Sequence, residues 1–394
     1  MVVRSVKMEV MITDKVKYIG VDDTTIDLFE SQYVVPEGVS YNSYLILDEK
    51  VAVMDTVDMR GIKEWEQNLL SELDGRKVDY LVIHHLEPDH AGSIARLVEL
   101  YPEITLVGNA KTFSMLPQFF HFSLDGRTLE VKEGDTLSLG EHELTFIMAP
   151  MVHWPEVMVS YDAKDKILFS ADGFGKFGAL SLTEKEDWAC EARRYYFNIV
   201  GKYGAPVQTL LKKAASLDIQ KICPLHGPVL SENLEYYFNL YNTWSSYEPE
   251  NKGVLVAYAS IHGNTAKAAE KIGEMLKSAG VEKVVVSDLA REDMAEVIED
   301  AFRYDRMILA AASYDGGVFP CMQDFLHHLQ SKAYQNRKVA IIENGSWAPC
   351  AGKAMKDILG KMKNLEIIDP MVTIRSTLKD SDMSALEALV EAMK

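Results

Sequence analysis

The chain has 394 residues, 47% of them hydrophobic and 25% charged, with a formal net charge of −18. That length suits two or three domains, each able to bury a core, and the acidic balance argues against nucleic acid or an anionic membrane as partner. No stretch approaches the roughly 18 consecutive apolar residues of a membrane span, and MVVRSVKMEVMITDKVKYIG at the start scatters charges where a leader would be apolar, so a cytoplasmic protein is expected.

In chain order, YNSYLILDE (41–49) and KVAVMDT (50–56) read as strands separated only by a turn. IKEWEQNLLSEL (62–73) reads as a helix, DYLVI (79–83) as a strand, and HELTFIMAP (142–150), KILFSAD (166–172) and IQKICPL (219–225) as further strands. Antiparallel pairs with helices outside predict a layered α/β/β/α sandwich. SSYEPENKG (245–253) is a polar break with proline and glycine, so domains are expected over 1–249 and 252–394. Beyond it, GVLVAYAS, KVVVSDL, RMILAAAS and KVAIIEN are near-continuous apolar runs alternating with helical stretches such as TAKAAEKIGEMLKSAG and EDMAEVIEDAFRY. This is the signature of an α/β doubly wound parallel sheet. Charge supports the division: residues 252–394 hold 18 basic and 20 acidic side chains, leaving nearly all the acidic excess in the first half. The four cysteines, Cys190, Cys223, Cys321 and Cys350, form no CxxC pair. That excludes a zinc ribbon or a rubredoxin-type iron centre within these residues and predicts reduced, mostly buried thiols.

The chemistry concentrates after DYLVI, in HHLEPDH (84–90). Isolated groups follow three later strands: His153 in TFIMAPMVHWP, Asp172 in KILFSAD, and His226 in IQKICPLHG. Loops leaving one edge of a layered sheet converge, so these positions can share a pocket with His85, Glu87, Asp89 and His90. Four imidazoles and three carboxylates are too many for one tetrahedral ion and suit two ions with a bridging carboxylate. His84 lies one position out of phase and is expected to be structural, as are His327 and His328 within a helical stretch. In the second half, SIHGNT (260–265) follows the first strand and opens the first helix, placing hydroxyls, unpaired N–H groups and the positive helix end around a phosphate. It is not GxGxxG, so a dinucleotide is not indicated.

The His-x-x-x-Asp-His order, with isolated His, Asp and His after strands, resembles the metallo-β-lactamase fold. The usual hydrolase motif there is His-x-His-x-Asp-His, and Glu87 stands where its second histidine is expected. A carboxylate in place of an imidazole hardens the site and favours iron over zinc. Joined to a flavodoxin-like second half, the pattern resembles the flavodiiron proteins (A-type flavoproteins), over essentially the whole chain. The resemblance implies an N-terminal metallo-β-lactamase-like αβ/βα sandwich followed by a flavodoxin-like sheet. One iron would take His85, Glu87 and His153, the other Asp89, His90 and His226, with Asp172 bridging. Asp55, in AVMDT, matches a recurrent acidic position and would orient a ligand histidine. SIHGNT resembles the flavodoxin phosphate loop, so Ser260, His262, Gly263, Asn264 and Thr265 would hold the FMN phosphate. Ser313, Tyr314, Asp315, Gly316 and Gly317 of SYDGG, and Asn344, Gly345, Ser346 and Trp347 of NGSWAP, would flank the isoalloxazine ring. Trp347 would be its aromatic wall. SYDGG departs from the Ser-Pro-Thr that the family often carries, which puts individual contacts there in doubt.

The implied activity is electron flow from an external donor through FMN to a non-haem diiron site that reduces O₂ to water, NO to N₂O, or both. With no donor domain in the sequence, a separate rubredoxin or similar small donor is expected. Tyr195, in RRYYFN, is a candidate pocket-lining residue for the gas. The family implies a head-to-tail homodimer or a dimer of dimers. The rival reading is a zinc hydrolase of the lactamase type fused to a flavodoxin domain, against which Glu87 speaks.

Overall fold

The computed structural model describes residues 12–183 and 187–394; the reading of residues 1–11 as free of a leader lies outside them. Its contacts divide the chain into two compact units, one through Tyr196 with Ala205–Tyr241, the other Phe197–Gly204 with Asn242–Lys394. The polar break at 245–253 lies between a helix, Leu234–Ser245, and the first long strand of the second unit.

The first unit is a two-sheet sandwich. One sheet runs β1 (Val16–Tyr18), β2 (Tyr44–Leu47), β3 (Val51–Met54), β4 (Tyr80–Val82), β5 (Thr105–Gly108) and β6 (Thr128–Glu130), in that spatial order. The first three are antiparallel and β3 to β6 are parallel. The other runs β7 (Thr136–Ser138), β8 (Glu143–Met148), β9 (Met158–Asp162), β10 (Ile167–Phe169) and β11 (Lys221–Cys223), antiparallel until β10 pairs parallel with β11. Their inner faces meet in one core: Tyr44, Ile46, Met54, Val82 and Val107 from the first sheet, and Leu144, Phe146, Met158, Ile167 and Phe169 from the second. The β2–β3 hairpin follows from two apolar runs split by polar Asp48–Lys50. Helix α1 (Ile62–Leu73) buries Trp65, Leu69 and Leu73, a four-residue apolar spacing that faces one side. The strand before HHLEPDH stops at Val82, so His84–Glu87 are loop and a short helix α2 spans Pro88–Ala91. Proline at the first helical position suits that start, since its missing N–H would have had no partner there.

The second unit is a twisted parallel sheet. β12 (Asn251–Ala259), β13 (Val284–Asp288), β14 (Tyr304–Tyr314) and β15 (Gln335–Asn344) are joined by β16 (Lys363–Ile367) and β17 (Val372–Ile374), in the order β13-β12-β14-β15, with β16 and β17 beside β15. Helix α4 (Asn264–Ser278; α3 is Trp188–Tyr195) and the C-terminal α8 (Met383–Met393) cover one face against Val254, Val256, Ile308, Ala340 and Ile342. Helices α5 (Met294–Arg303), α6 (Pro320–Ser331) and α7 (Ala351–Leu359) complete the unit. Central residues on both faces of the strands, among them Leu255, Val256, Leu309 and Ile341, are 0% exposed, which is why those runs read as continuously apolar. β16 is mostly exposed and polar, and nothing in its sequence announces a strand.

One expectation needs correction. Of the four free cysteines only Cys223 is buried; Cys190 is exposed, and Cys321 and Cys350 are half-buried. SYDGG is a tight hairpin: Ser313 pairs with Val318 and Tyr314 with Gly317. Asp315 and Gly316 take the left-handed φ values of 47° and 75° that a two-residue turn of this kind demands.

Candidate functional site

All seven metal-ligand candidates come together at one end of the sandwich. α2 carries Asp89 and His90 on successive positions, preceded by Glu87 as its capping residue. His153 follows β8, Asp172 follows β10 and His226 follows β11. Ala171, at φ 50°, turns the chain so that Asp172 leaves its strand inward. Gly227, at φ 79°, makes the corresponding turn after His226, and a side chain there would also strike Lys176.

The geometry is that of two triads sharing one carboxylate. Asp172 Oδ2 stands 3.3 Å from His85 Nε2 and 3.4 Å from His153 Nε2. Glu87 Oε2 closes this group at 3.2 Å from His85 and 2.9 Å from His153. The other Asp172 oxygen, Oδ1, stands 3.2 Å from His90 Nε2 and 3.9 Å from His226 Nε2. Asp89 Oδ2 completes the second group at 3.3 Å from His90 and 3.2 Å from His226.

Burial tests whether ions belong here. Both oxygens of Asp89 and of Asp172, both nitrogens of His90, and Nε2 of His226 are buried without a hydrogen-bond partner. Leaving one buried polar atom unpaired costs about 1–3 kcal/mol, so the Asp89 and Asp172 oxygens and the Nε2 atoms of His90 and His226, gathered in one pocket, call for cations. Two metal ions fit that donor set, and the excess of carboxylate over a hydrolase's imidazoles suits iron. Without metal, protons fill the role. Burial alone would push the His153 imidazole down, but the facing Asp172 carboxylate and the hydrogen bond to Glu87 carry it up to about 9. Burial would raise the Asp172 carboxyl, yet the charge of His85 and the His153 and His90 rings that face it hold it well below the carboxylate range.

The residues that aim the ligands carry no sequence signal of their own. Glu156, 0% exposed, takes His85 Nδ1 at 2.8 Å and the Leu86 N–H at 2.9 Å. This fixes the proton on Nδ1 and turns Nε2 to the site. His226 Nδ1 donates to the Ser40 carbonyl at 2.7 Å. Asp55 corrects its expectation: its ring partner is His84, 2.5 Å from Oδ2, and it meets His85 only through the backbone N–H. His84 uses its other nitrogen on Ser160 at 2.8 Å, so both ring nitrogens are engaged within the protein. His327 and His328 lie on α6, in the chain's other unit. Tyr195, on α3, is 1% exposed, with its ring 5.4 Å from that of His226; burial raises its phenol well above the ordinary range, so it stays a neutral O–H.

In the second unit a cavity of about 670 Å³ opens at the C-terminal ends of β12, β14 and β15. This is the topological switch point where open α/β sheets take ligands. Ser260, His262, Asn264, Thr265, Ser313, Tyr314, Asp315, Gly316, Asn344, Gly345, Ser346 and Trp347 line it, together with Cys350 and Ser376, which the sequence did not single out. Gly263 and Gly317 are outside the lining. Gly263 instead enters α4 at φ 85° with no side-chain cap, leaving the first-turn N–H groups free for an anion. Ser260 Oγ accepts from Gly263 N, so its own proton is free to donate. Ser313 lines the cavity and also ties the loops, its Oγ accepting from Cys350 N and Ala351 N and pinning the two ring loops together. Asn344 likewise exchanges hydrogen bonds with the Ser376 backbone. Trp347 is 89% exposed at the mouth. The cavity, its phosphate-binding helix end and its aromatic rim fit FMN.

Comparison with known proteins agrees in both halves. A family model described as ODP family beta lactamase matches residues 39–227, and a Flavodoxin domain model matches 255–364. An uncharacterized protein of Methanocaldococcus jannaschii is 28% identical over 95% of both chains. An anaerobic nitric oxide reductase flavorubredoxin of Salmonella typhi is 27% identical over 86% of this chain and 73% of its own. Among solved structures, rubredoxin oxygen:oxidoreductase of Desulfovibrio gigas superposes with a TM-score of 0.89 at 26% identity, covering 97% of this chain and 96% of that one.

Two outcomes follow. Glu156→Ala releases the His85 ring and should weaken metal binding 10–100-fold, read as metal content after dialysis against a chelator, with FMN content unchanged. The double change Ser260→Ala with Thr265→Ala removes hydroxyls from the phosphate cradle. At roughly 1.5–3 kcal/mol per charge-assisted bond, FMN affinity measured by fluorescence should fall at least tenfold while the metal stays.

Proposed function

From the chain's membership of the flavodiiron proteins, an oxidoreductase family that joins these two domains, we propose that it reduces O₂ to water, NO to N₂O, or both. The electrons come from a separate cytoplasmic donor of the rubredoxin kind. FMN and two irons are the cofactors: the flavin passes electrons one or two at a time, and the iron pair offers open positions to a diatomic gas.

The observation that carries the reading is Asp172, with one oxygen turned to each triad and no donor on either. His85, Glu87 and His153 are assigned to one iron and Asp89, His90 and His226 to the other. Glu87 makes its triad richer in oxygen than a hydrolase site, and this weighs against zinc. Glu156 and the Ser40 carbonyl hold the proton of His85 and His226 on the nitrogen turned away from the metal. Tyr195 keeps a neutral phenol beside His226 and closes that side of the site with Phe177, whose ring lies 5.1 Å from it. In the flavin cavity, Ser260 and the open start of α4 bind the phosphate, while Ser313 and Asn344 hold the ring loops to one spacing.

We also propose a head-to-tail homodimer in which each flavin serves the iron pair of the partner. Exposed aromatic groups at both sites support it. Trp347 and the 44% exposed Tyr314 rim the flavin cavity, and the 38% exposed Phe119 stacks on Trp154 beside His85. Such rings are favoured at protein interfaces.

Supplied anaerobically with a reduced donor, the protein should consume O₂ or NO. Glu87→His should shift the metal content towards zinc and abolish consumption with FMN still bound; undiminished turnover in that variant would remove Glu87 from the centre. The dimer is tested by mixing two inactive variants, Asp89→Asn with His90→Ala and the Ser260→Ala with Thr265→Ala cradle change. Subunit exchange should restore part of the activity if electrons cross between chains, whereas mixed dimers that stay inactive would rule that route out.

A further inference from the structure

At the opposite end of the second sheet from the seven-residue cluster, the β7–β8 and β9–β10 turns bring together His142, Asp162 and Asp165. We propose that these three residues form a separate binding site for one divalent transition metal, with zinc its representative.

The dimensions are those of the centre already described. His142 Nε2 lies 3.2 Å from Asp165 Oδ2 and 4.0 Å from Asp162 Oδ2; the ligand atoms around Asp172 stand 3.2–3.9 Å apart. The imidazole is also held as metal-binding imidazoles are. Asp48 Oδ2 accepts from the backbone N of His142 at 2.7 Å and faces its Nδ1 at 2.9 Å. That carboxylate sets the proton on Nδ1 and leaves the Nε2 lone pair aimed at the two aspartates, the arrangement found behind zinc-binding histidines.

The bland alternative is a histidine carrying two protons. It fails on Asp162. This carboxylate is 0% exposed, and its oxygens receive only the backbone N–H groups of Lys164 and Asp165, at 3.3 and 3.2 Å. At 4.0 Å the ring is beyond hydrogen-bond reach. A second proton on His142 has one direction and reaches Asp165, so Asp162 would meet the imidazolium only as a charge 4.0 Å away. The nearby ammonium groups are committed elsewhere, Lys15 to Asp48 and Lys164 to Glu141. A dication takes all three atoms at once. Asp165, 24% exposed, leaves one side of the site open, so water can complete a three-ligand coordination. One nitrogen and two oxygens suit zinc over a soft thiophilic ion. The bound metal would clamp two hairpin turns of the second sheet and, through Asp48, the β2–β3 turn of the first.

The test uses the full chain with FMN and two irons per chain already measured. It is dialysed against micromolar ZnCl₂ and analysed for iron and zinc together, with melting followed in parallel. The site predicts one zinc per chain, iron unchanged, and a melting temperature raised by several degrees. Asp165→Asn sits in a turn and preserves the fold; it should lower zinc affinity at least tenfold and abolish the stabilisation without moving iron or FMN. His142→Gln should remove zinc binding altogether. The proposal is overturned if zinc enters only as iron leaves, if none is retained, or if Asp165→Asn binds zinc as the unaltered chain does.

Discussion

Asp172 is 1% exposed, keeps both carboxylate oxygens free of any hydrogen-bond donor, and faces four imidazoles at 3.2–3.9 Å. No apolar pocket tolerates such a group alone, because burying an unpaired charge costs more than any nearby packing returns. Much of the first unit's local structure answers that constraint. The strained turn at Ala171 delivers the carboxylate inward, α2 presents Asp89 and His90 side by side, and Gly227 allows His226 to double back from β11. Glu156 and Ser40 then remove the remaining freedom of two rings. The site is therefore rigid before a metal arrives, as a centre needs when its ligands must not relax between oxidation states.

The flavin cavity obeys a softer rule. Its ligand carries its own charge and its own ring, so the protein supplies a free helix end, a shaped slot and loops at fixed spacing. Ser313 and Asn344 are spent on loop-to-loop bonds, which means that the slot's width is set by protein contacts and not by the ligand. The exposed Trp347 differs in kind from the buried rings around the metal candidates, since it presents an apolar face to solvent.

The seven side chains that the fold gathers could be named from sequence because each follows an apolar run and strands of one layer deliver their loops to one edge. His84 was separable for the same reason: in a strand-like phase it faces the other way, and there it meets Asp55 and Ser160. Glu156 was not legible. It lies in an irregular loop after His153, and only the tertiary fold brings its carboxylate to His85 Nδ1. Asp55 was expected to orient a ligand histidine and instead holds His84, because which ring it meets depends on side-chain direction that periodicity cannot supply. The hairpin in SYDGG is written in its Asp-Gly pair, a turn signal hidden by the same residues' place beside the flavin ring. β16 carries too little apolar character to be seen at all. His142 and its aspartates fall in turns, where polar residues are common and partners are chosen by the tertiary fold.

Elemental analysis of the protein purified without added metal, joined to flavin quantitation, bears most directly on the central claim that these seven side chains hold a pair of irons beside an FMN domain. The account predicts close to two irons and one FMN per chain, and reoxidation of the anaerobically reduced flavin on adding O₂ or NO. Two zincs in place of iron, with a reduced flavin indifferent to both gases, would contradict it.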